Sequence, residues 1–206
     1  MIIINFGCSL IQQGPSIPSN LIPYILGSVL CVTCDDDRLA SGSSDKTIKV
    51  WDIHTGHLQH TLRGHTKGIW CLQFFTKLLL VSGSFDSTIR VWNLRTGTTT
   101  RTLLGHTGQI WCLKRHGPYI VSGSQDKTAK VWDIGRSLLV HTLVGHNAAV
   151  FSVDIAEDGS LIITGSADRA SVPQLIANPP FKSAGTLLLR LQAPPPAPWP
   201  EGGLKA

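Results

Sequence analysis

Between about residue 28 and residue 169 the chain alternates apolar and polar positions with a period of two, in short runs broken by Gly, Asp and Thr turn signals. In one stretch the runs are Ile69 to Phe74, Leu79 to Ser84, Thr88 to Leu94 and Thr99 to Leu104, with Phe85-Asp86-Ser87 and Arg95-Thr96-Gly97 as turns. That pattern predicts four short antiparallel strands, and it recurs. Aligned on a Trp, one phrase is written three times: S-G-S-S-D-K-T-I-K-V-W-D (41 to 52), S-G-S-F-D-S-T-I-R-V-W-N (82 to 93) and S-G-S-Q-D-K-T-A-K-V-W-D (122 to 133). Trp51, Trp92 and Trp132 are 41 and 40 residues apart, and Gly64-His65, Gly105-His106 and Gly145-His146 keep the same period. A fixed period of this length is the signature of a repeat architecture.

The repeats predict four-stranded blades over about residues 28–62, 69–104 and 109–144, then a half blade over 149–169. The half blade holds two strands, Ala149 to Ile155 and Ser160 to Gly165, joined by the Asp158-Gly159 hairpin signal. Beyond T-G-S-A-D-R (164 to 169) the grammar fails: register puts Gln174 where a Trp belongs, and Pro173 falls where a central strand needs a backbone donor. Residues 170–206 carry eight of the 12 prolines and are expected to form a disordered or polyproline II tail. At the other end, Tyr24-Ile25 stand where Gly-His belongs, so residues 1–27 are expected to be a linker or degenerate cap.

Composition changes this picture little. The net charge of +5 is spread over single basic residues such as Lys46, Arg90, Lys127 and Lys130, so the stripe that nucleic-acid binding needs is missing and no nucleic-acid partner is expected. The apolar start of the chain lacks a basic leader and ends at Gln12-Gln13, so it is not expected to be a secretory signal, and no run reaches membrane-spanning length. Five cysteines argue against a disulfide framework. Cys31, Cys71 and Cys112 share one repeat position, which reads as a small buried side chain. Cys31-x-x-Cys34 has no second pair to complete a metal site. No metal or cofactor is expected, and the expected compartment is the cytoplasm, the nucleus or both.

Each repeat brings His, Ser or Thr, Asp and Trp to fixed offsets: His65, Ser82, Asp86 and Trp92; His106, Ser122, Asp126 and Trp132; and His146, Thr164 and Asp168 without a Trp. Ser, His and Asp together suggest a hydrolase. Triplication argues against one, because an enzyme needs a single asymmetric site with an oxyanion hole beside it. Mutual hydrogen bonding among buried polar groups accounts for the copies better.

With the Gly-His opening and the Trp-Asp close of Trp51-Asp52 and Trp132-Asp133, residues 28–169 resemble the WD40 repeat family, Trp92-Asn93 being a mild variant. The resemblance implies an all-β fold, a partial β-propeller of about three and a half four-stranded antiparallel blades in an open arc. It also implies a structural role for the His, Ser/Thr, Asp, Trp sets. The short first link in W-C-L-Q-F-F-T-K-L-L-L-V-S-G-S (70 to 84) and W-C-L-K-R-H-G-P-Y-I-V-S-G-S (111 to 124) resembles the F-box/WD repeat branch, substrate receptors of cullin-RING ubiquitin ligases, although no F-box is present. In such propellers partners meet the narrower face. The implied positions are Ser44, Phe85, Gln125 and Ala167 before the turn Asp, and Leu30, Trp70, Trp111 and Phe151 at the start of the innermost strand. None is basic, so a phosphate-reading arginine set is not expected. Two readings stay open for the aromatics: a row that grips an apolar or aromatic partner segment, or rings packed between blades.

The expected function is therefore a non-enzymatic protein-interaction scaffold, with substrate recognition for a ubiquitin ligase as its specific form and cullin-RING components or substrates as partners. A truncated or splice-variant fragment with little independent function is the alternative, and a hydrolase the rival from another class. An open arc should also self-associate through its uncovered ends, around Ser28 to Cys34 and Val150 to Ile163.

Overall fold

The S-G-S to V-W-D phrase forms a hairpin in each copy because its Asp ties the turn. Asp86 Oδ1 accepts from the Thr88 backbone N–H and hydroxyl, at 3.0 and 2.7 Å. Asp45 does the same to Thr47 and Asp126 to Thr128. The residue after each Asp sits at positive φ: Lys46 at 72°, Ser87 at 68° and Lys127 at 71°.

In the computed structural model, which describes residues 27–168 and the backbone of two further strands, these hairpins grow into four antiparallel four-stranded sheets. The first holds β1 (Val29–Cys34), β2 (Arg38–Ser43), β3 (Thr47–Asp52) and β4 (Leu58–Arg63). The second holds β5 (Ile69–Thr76), β6 (Leu79–Ser84), β7 (Ile89–Asn93) and β8 (Thr98–Leu103). The third holds β9 (Ile110–His116), β10 (Tyr119–Ser124), β11 (Ala129–Asp133) and β12 (Leu138–Leu143). The fourth holds β13 (Val150–Ile155), β14 (Leu161–Ser166), β15 (Ser171–Ile176) and β16 (Ala184–Thr186). Strands pair in chain order within each sheet, and the first strands lie side by side, β1 against β5, β5 against β9 and β9 against β13.

The fourth sheet corrects the half blade. The strands after Gly165 do form, and the predicted tail from residue 170 begins with two of them. Ile162 pairs with Gln174 just as Leu39, Leu80 and Ile120 pair with Trp51, Trp92 and Trp132, so the register is kept although the Trp is lost. Pro173 lies within β15, where it pairs with Ile163 of β14. Tyr24-Ile25 lie outside the described residues.

One interface, used repeatedly, holds the blades together. Ala40, Ile48, Val50 and Leu62 pack against Ile69, Leu80, Trp92 and Leu94 of the next blade. Val81, Ile89, Val91 and Leu103 pack against Ile110, Ile120, Trp132 and Ile134. Val121, Ala129, Val131 and Leu143 meet Ile162. After the fourth blade the pattern stops: Ile163, at the position of Val81 and Val121, is 43% exposed where they are 0% and 1%. The arc is open at that end.

The glycine of S-G-S and the cysteine of the first strand explain each other. A Cβ on Gly42, Gly83 or Gly123 would lie 2.6 Å from the Sγ of Cys31, Cys71 or Cys112. At Gly83 it would also lie 2.6 Å from Cγ2 of Ile110 in the next blade. Gly83→Ala should therefore destabilise by about 1–3 kcal/mol through overpacking, read as a lower denaturation midpoint at unchanged slope.

Candidate functional site

Two sets of recurring side chains occupy different places in every blade. The first is buried. Trp132 Nε1 donates to Ser122 Oγ at 2.8 Å, and Ser122 Oγ lies 2.7 Å from His106 Nε2. His106 Nδ1 lies 2.7 Å from Asp126 Oδ2, which also accepts from the Thr107 backbone N–H. His65, Ser82, Asp86 and Trp92 repeat the chain, with Trp92 to Ser82 at 2.8 Å, Ser82 to His65 at 2.7 Å and His65 to Asp86 at 2.8 Å. His146 joins Thr164 at 2.8 Å and Asp168 at 3.0 Å. In the first blade Trp51 reaches Ser41 at 3.4 Å. The Gly before the His gives the indole room: a Cβ on Gly64 or Gly105 would come within 3.1 Å of Trp92 or Trp132, and Gly105 also holds φ 150°.

This geometry assigns the tautomer. A neutral imidazole donates from Nδ1 to the carboxylate and accepts the hydroxyl proton at Nε2, while the hydroxyl accepts from the indole, so every group is satisfied. The Ser82 and Ser122 hydroxyls are fully buried, and each accepts from an indole N–H, an arrangement that ties strands together. Burial lowers the His106 pKa, against the raising effect of Asp126. Burial would raise the carboxylates, but the hydrogen bonds from His65, Thr88 and Thr66 hold Asp86 well below its usual range, and those from Thr128, His106 and Thr107 lower Asp126.

Both shifts have the same consequence. A His whose folded pKa is depressed stabilises fully above its unfolded value of about 6.5 and loses that contribution as pH falls below it. A depressed Asp keeps its contribution above about 3.9 and loses it on further acidification. The melting temperature should hold from pH 8 to about 7, start to decline below about 6.5, and fall steeply below about 4. A melting series across pH checks this.

The second set lies at the start of the inner strands, beside the turn Asp residues, and is half-buried or exposed. The residue before each turn Asp donates its backbone N–H to the carbonyl just ahead of the inner strand: Ser44 to Ser28, Phe85 to Gly68, Gln125 to Gln109 and Ala167 to Ala149. This bond places both predicted rows on one rim. Trp70 stacks on Phe85 with ring centroids 5.1 Å apart, Trp111 meets Trp70 edge-on at 5.1 Å and Phe85 at 5.2 Å, and Phe151 meets Trp111 at 5.2 Å. Gln125 Oε1 accepts from Trp111 Nε1 at 3.1 Å. Leu30 and Ser44 approach Phe85 across Gly68, whose Cβ would meet all three. Ala167 is placed by its backbone bond and is exposed. The rings touch across the second, third and fourth blades and stay partly open to solvent.

The ring cluster opens onto a cavity of about 360 Å³ lined by all four inner strands, including Cys31 to Cys34, Trp70 to Gln73, Trp111 to Lys114 and Phe151 to Val153. Burial pushes the thiols of Cys31 and Cys112 up to about 12 and raises that of Cys71 as well, so these free cysteines are inert packing groups. Cys34 is disulfide-bonded, which the odd cysteine count gave no reason to expect. The repeat pattern also missed an ion pair between inner strands, Lys114 Nζ to Asp154 Oδ1 at 2.9 Å, with both partners largely exposed. By strand register both residues hold the position where the second blade carries Gln73.

A family model described as "WD domain, G-beta repeat" matches residues 24–52, 56–93, 97–133 and 137–170. From the second match on, the matched units are offset from the sheets by one strand: 56–93 runs from β4 to β7, so each repeat gives its first strand to one blade and the next three to the following blade. Among curated proteins, "F-box/WD repeat-containing protein sel-10" of Caenorhabditis elegans is 47% identical over 45 residues, covering 22% of this chain and 8% of that protein. "Nuclear distribution protein PAC1-1" of Uncinocarpus reesii is 39% identical over 59 residues, 28% of this chain and 13% of that protein. The chain thus spans a small fraction of these relatives. Among solved structures, the computationally designed Ika4 protein aligns with a TM-score of 0.72 at 31% identity, covering 80% of this chain and 100% of that one. The designed Ika8 protein aligns with a TM-score of 0.66 at 33% identity over 72% of this chain and 46% of that one.

Proposed function

The chain belongs to the WD40 repeat family, and from that premise we propose that it holds a protein partner at the rim formed by Trp70, Phe85, Trp111 and Phe151. Proteins of this family are generally interaction scaffolds, and the recurring polar sets here are spent on the fold. The observation that carries the proposal is the contrast between two kinds of Trp. Trp92 and Trp132 are buried and bound to a serine, whereas Trp70 and Trp111 stay partly open and lie on neighbouring rings. Clustered aromatics at a partly wet rim are what anchor sites in protein interfaces consist of. With no arginine among the eight rim positions, the segment they suit is apolar or aromatic rather than phosphorylated.

The narrower reading makes the partner a substrate or subunit of a cullin-RING ubiquitin ligase. Its support is the similarity to the F-box/WD repeat-containing protein sel-10. Affinity purification of the tagged chain tests both levels. Recovery of cullin adaptor subunits supports the ligase role; their absence with other proteins retained in a Trp111-dependent manner leaves the scaffold alone. A protein set that is identical for wild type and Trp111→Ala would refute the rim.

A further inference from the structure

The charges beside the aromatic rim fall into two groups. Four carboxylates stand in the turns next to the rings, and all are spent inside the fold: Asp45 accepts from Thr47, and Asp86, Asp126 and Asp168 each lie within 3.0 Å of a histidine nitrogen. In the first three blades a basic residue follows each of these Asp residues four positions on, as Lys49, Arg90 and Lys130. Lys49 and Lys130 are buried, so the inward-facing charges of these blades offset one another in formal count. The second group faces solvent. Lys46, Lys67 and Lys127 are exposed, and none of them joins an ion pair among the described residues. Lys67 is carried by the link that Ser84 Oγ and the Phe85 N–H bind, through the carbonyls of Lys67 and Gly68 at 3.2 and 3.0 Å. Lys127 stands two residues after Gln125, which holds Trp111, and Lys46 two residues after Ser44 in the matching turn of the first blade. Lysines thus accompany the rim in the first, second and third blades, while the turns on this side present no exposed carboxylate among the described residues. The exposed turn carboxylates Asp36, Asp37, Glu157 and Asp158 lie in the β1–β2 and β13–β14 links, at the opposite end of the inner strands.

We infer that the segment held at the rim is an acidic peptide, with an apolar or aromatic centre seated on the rings and Asp or Glu on either side reaching the lysines. The inference rests on the rim reading above and adds the charge of the partner to it. Charge complementarity selects this occupant: the surface groups around the rings are cationic, and the exposed acids at the opposite end would repel the same peptide there. Lysine ammonium groups on flexible stems suit single carboxylates, whereas a phosphate reader uses the planar fork of arginine. A single strand of nucleic acid is the other anionic occupant with a use for aromatic rings, and it needs ring faces left open for its bases. Here Trp70 and Phe85 stack on each other, with planes 23° apart, and Trp111 packs edge-on against both. The rings offer a joint apolar surface to a side chain in place of separate platforms.

Panning a displayed library of random peptides, about 12 residues long, against the full chain reads this chemistry directly. Trp111→Ala, the double variant Lys67→Glu with Lys127→Glu, and Lys77→Glu are panned in parallel, with a melting temperature taken on each. Lys77 is exposed at the opposite end of the inner strands and serves as the control. Lys127→Gln replaces Lys127→Glu if the double variant melts early. Sequences enriched on the wild type and lost on Trp111→Ala should combine a Trp, Phe or Leu with a net charge of about −2 or below. A synthetic peptide of that kind should bind the double variant about tenfold or more weakly and bind Lys77→Glu as it binds the wild type. Neutral or basic sequences enriched in a Trp111-dependent manner overturn the acidic partner and leave the rim standing. A library that yields no Trp111-dependent sequence counts against the rim itself, and the inference falls with it. A labelled oligothymidine that binds more tightly than any enriched peptide, and loses that binding in Trp111→Ala, overturns the inference in favour of nucleic acid.

Discussion

Trp132→Ala should cost about 3–5 kcal/mol, the usual loss for emptying a large buried aromatic site. The ring is 2% exposed and sits among Phe75, Val81, Ile89, Val91, Leu103 and Ile110, so removing it opens the interface between the second and third blades. The indole N–H also leaves with it, and Ser122 Oγ loses a 2.8 Å bond. In a repeat array, where each unit leans on its neighbours, that loss spreads to both adjoining blades. Thermal melting should show a drop on the order of 10 °C. Trp132→Phe, which keeps most of the volume and loses only the donor, should recover more than half of the deficit.

Trp111→Ala should act on binding instead. Trp111 touches Trp70, Phe85 and Phe151 and holds Gln125 by its indole N–H, so it is the centre of the ring cluster. Central aromatic anchors are the positions where truncation costs about 2 kcal/mol or more, about thirtyfold in affinity. Phe151→Ala, at the outer end of the row with a single ring neighbour, should cost less. Titration of each variant against the partner recovered by affinity purification gives the comparison. A Phe151 effect larger than that of Trp111 would move the centre of the site toward the fourth blade.

Much of this was legible because the fold repeats itself. A period of 40 or 41 residues fixes which residues share a register position, and the sheets pair Trp51, Trp92, Trp132 and Gln174 at the same step. The hydrogen-bonded sets were legible for the same reason: a polar triad written three times has to serve something that occurs three times. Leu79–Ser84 falls on its predicted limits, while Ile69–Thr76, Ile89–Asn93 and Thr98–Leu103 depart from theirs by one or two residues, where bulges and turn residues blur the alternation. What could not be read was set by neighbours rather than by pattern. β15 forms although Pro173 argues against it, because β14 offers it a ladder from Leu161 to Gly165. The Lys114 to Asp154 pair depends on two inner strands meeting across blades.

The central claim is a division of labour between two classes of Trp, one building the blades and one offered at the rim. Melting Trp132→Ala and Trp111→Ala side by side tests it most directly, since both residues lie in the third blade and differ chiefly in burial. Trp132→Ala should fall by on the order of 10 °C, and Trp111→Ala by no more than about a third as much. Equal, large drops would contradict the claim and make the rim rings part of the framework.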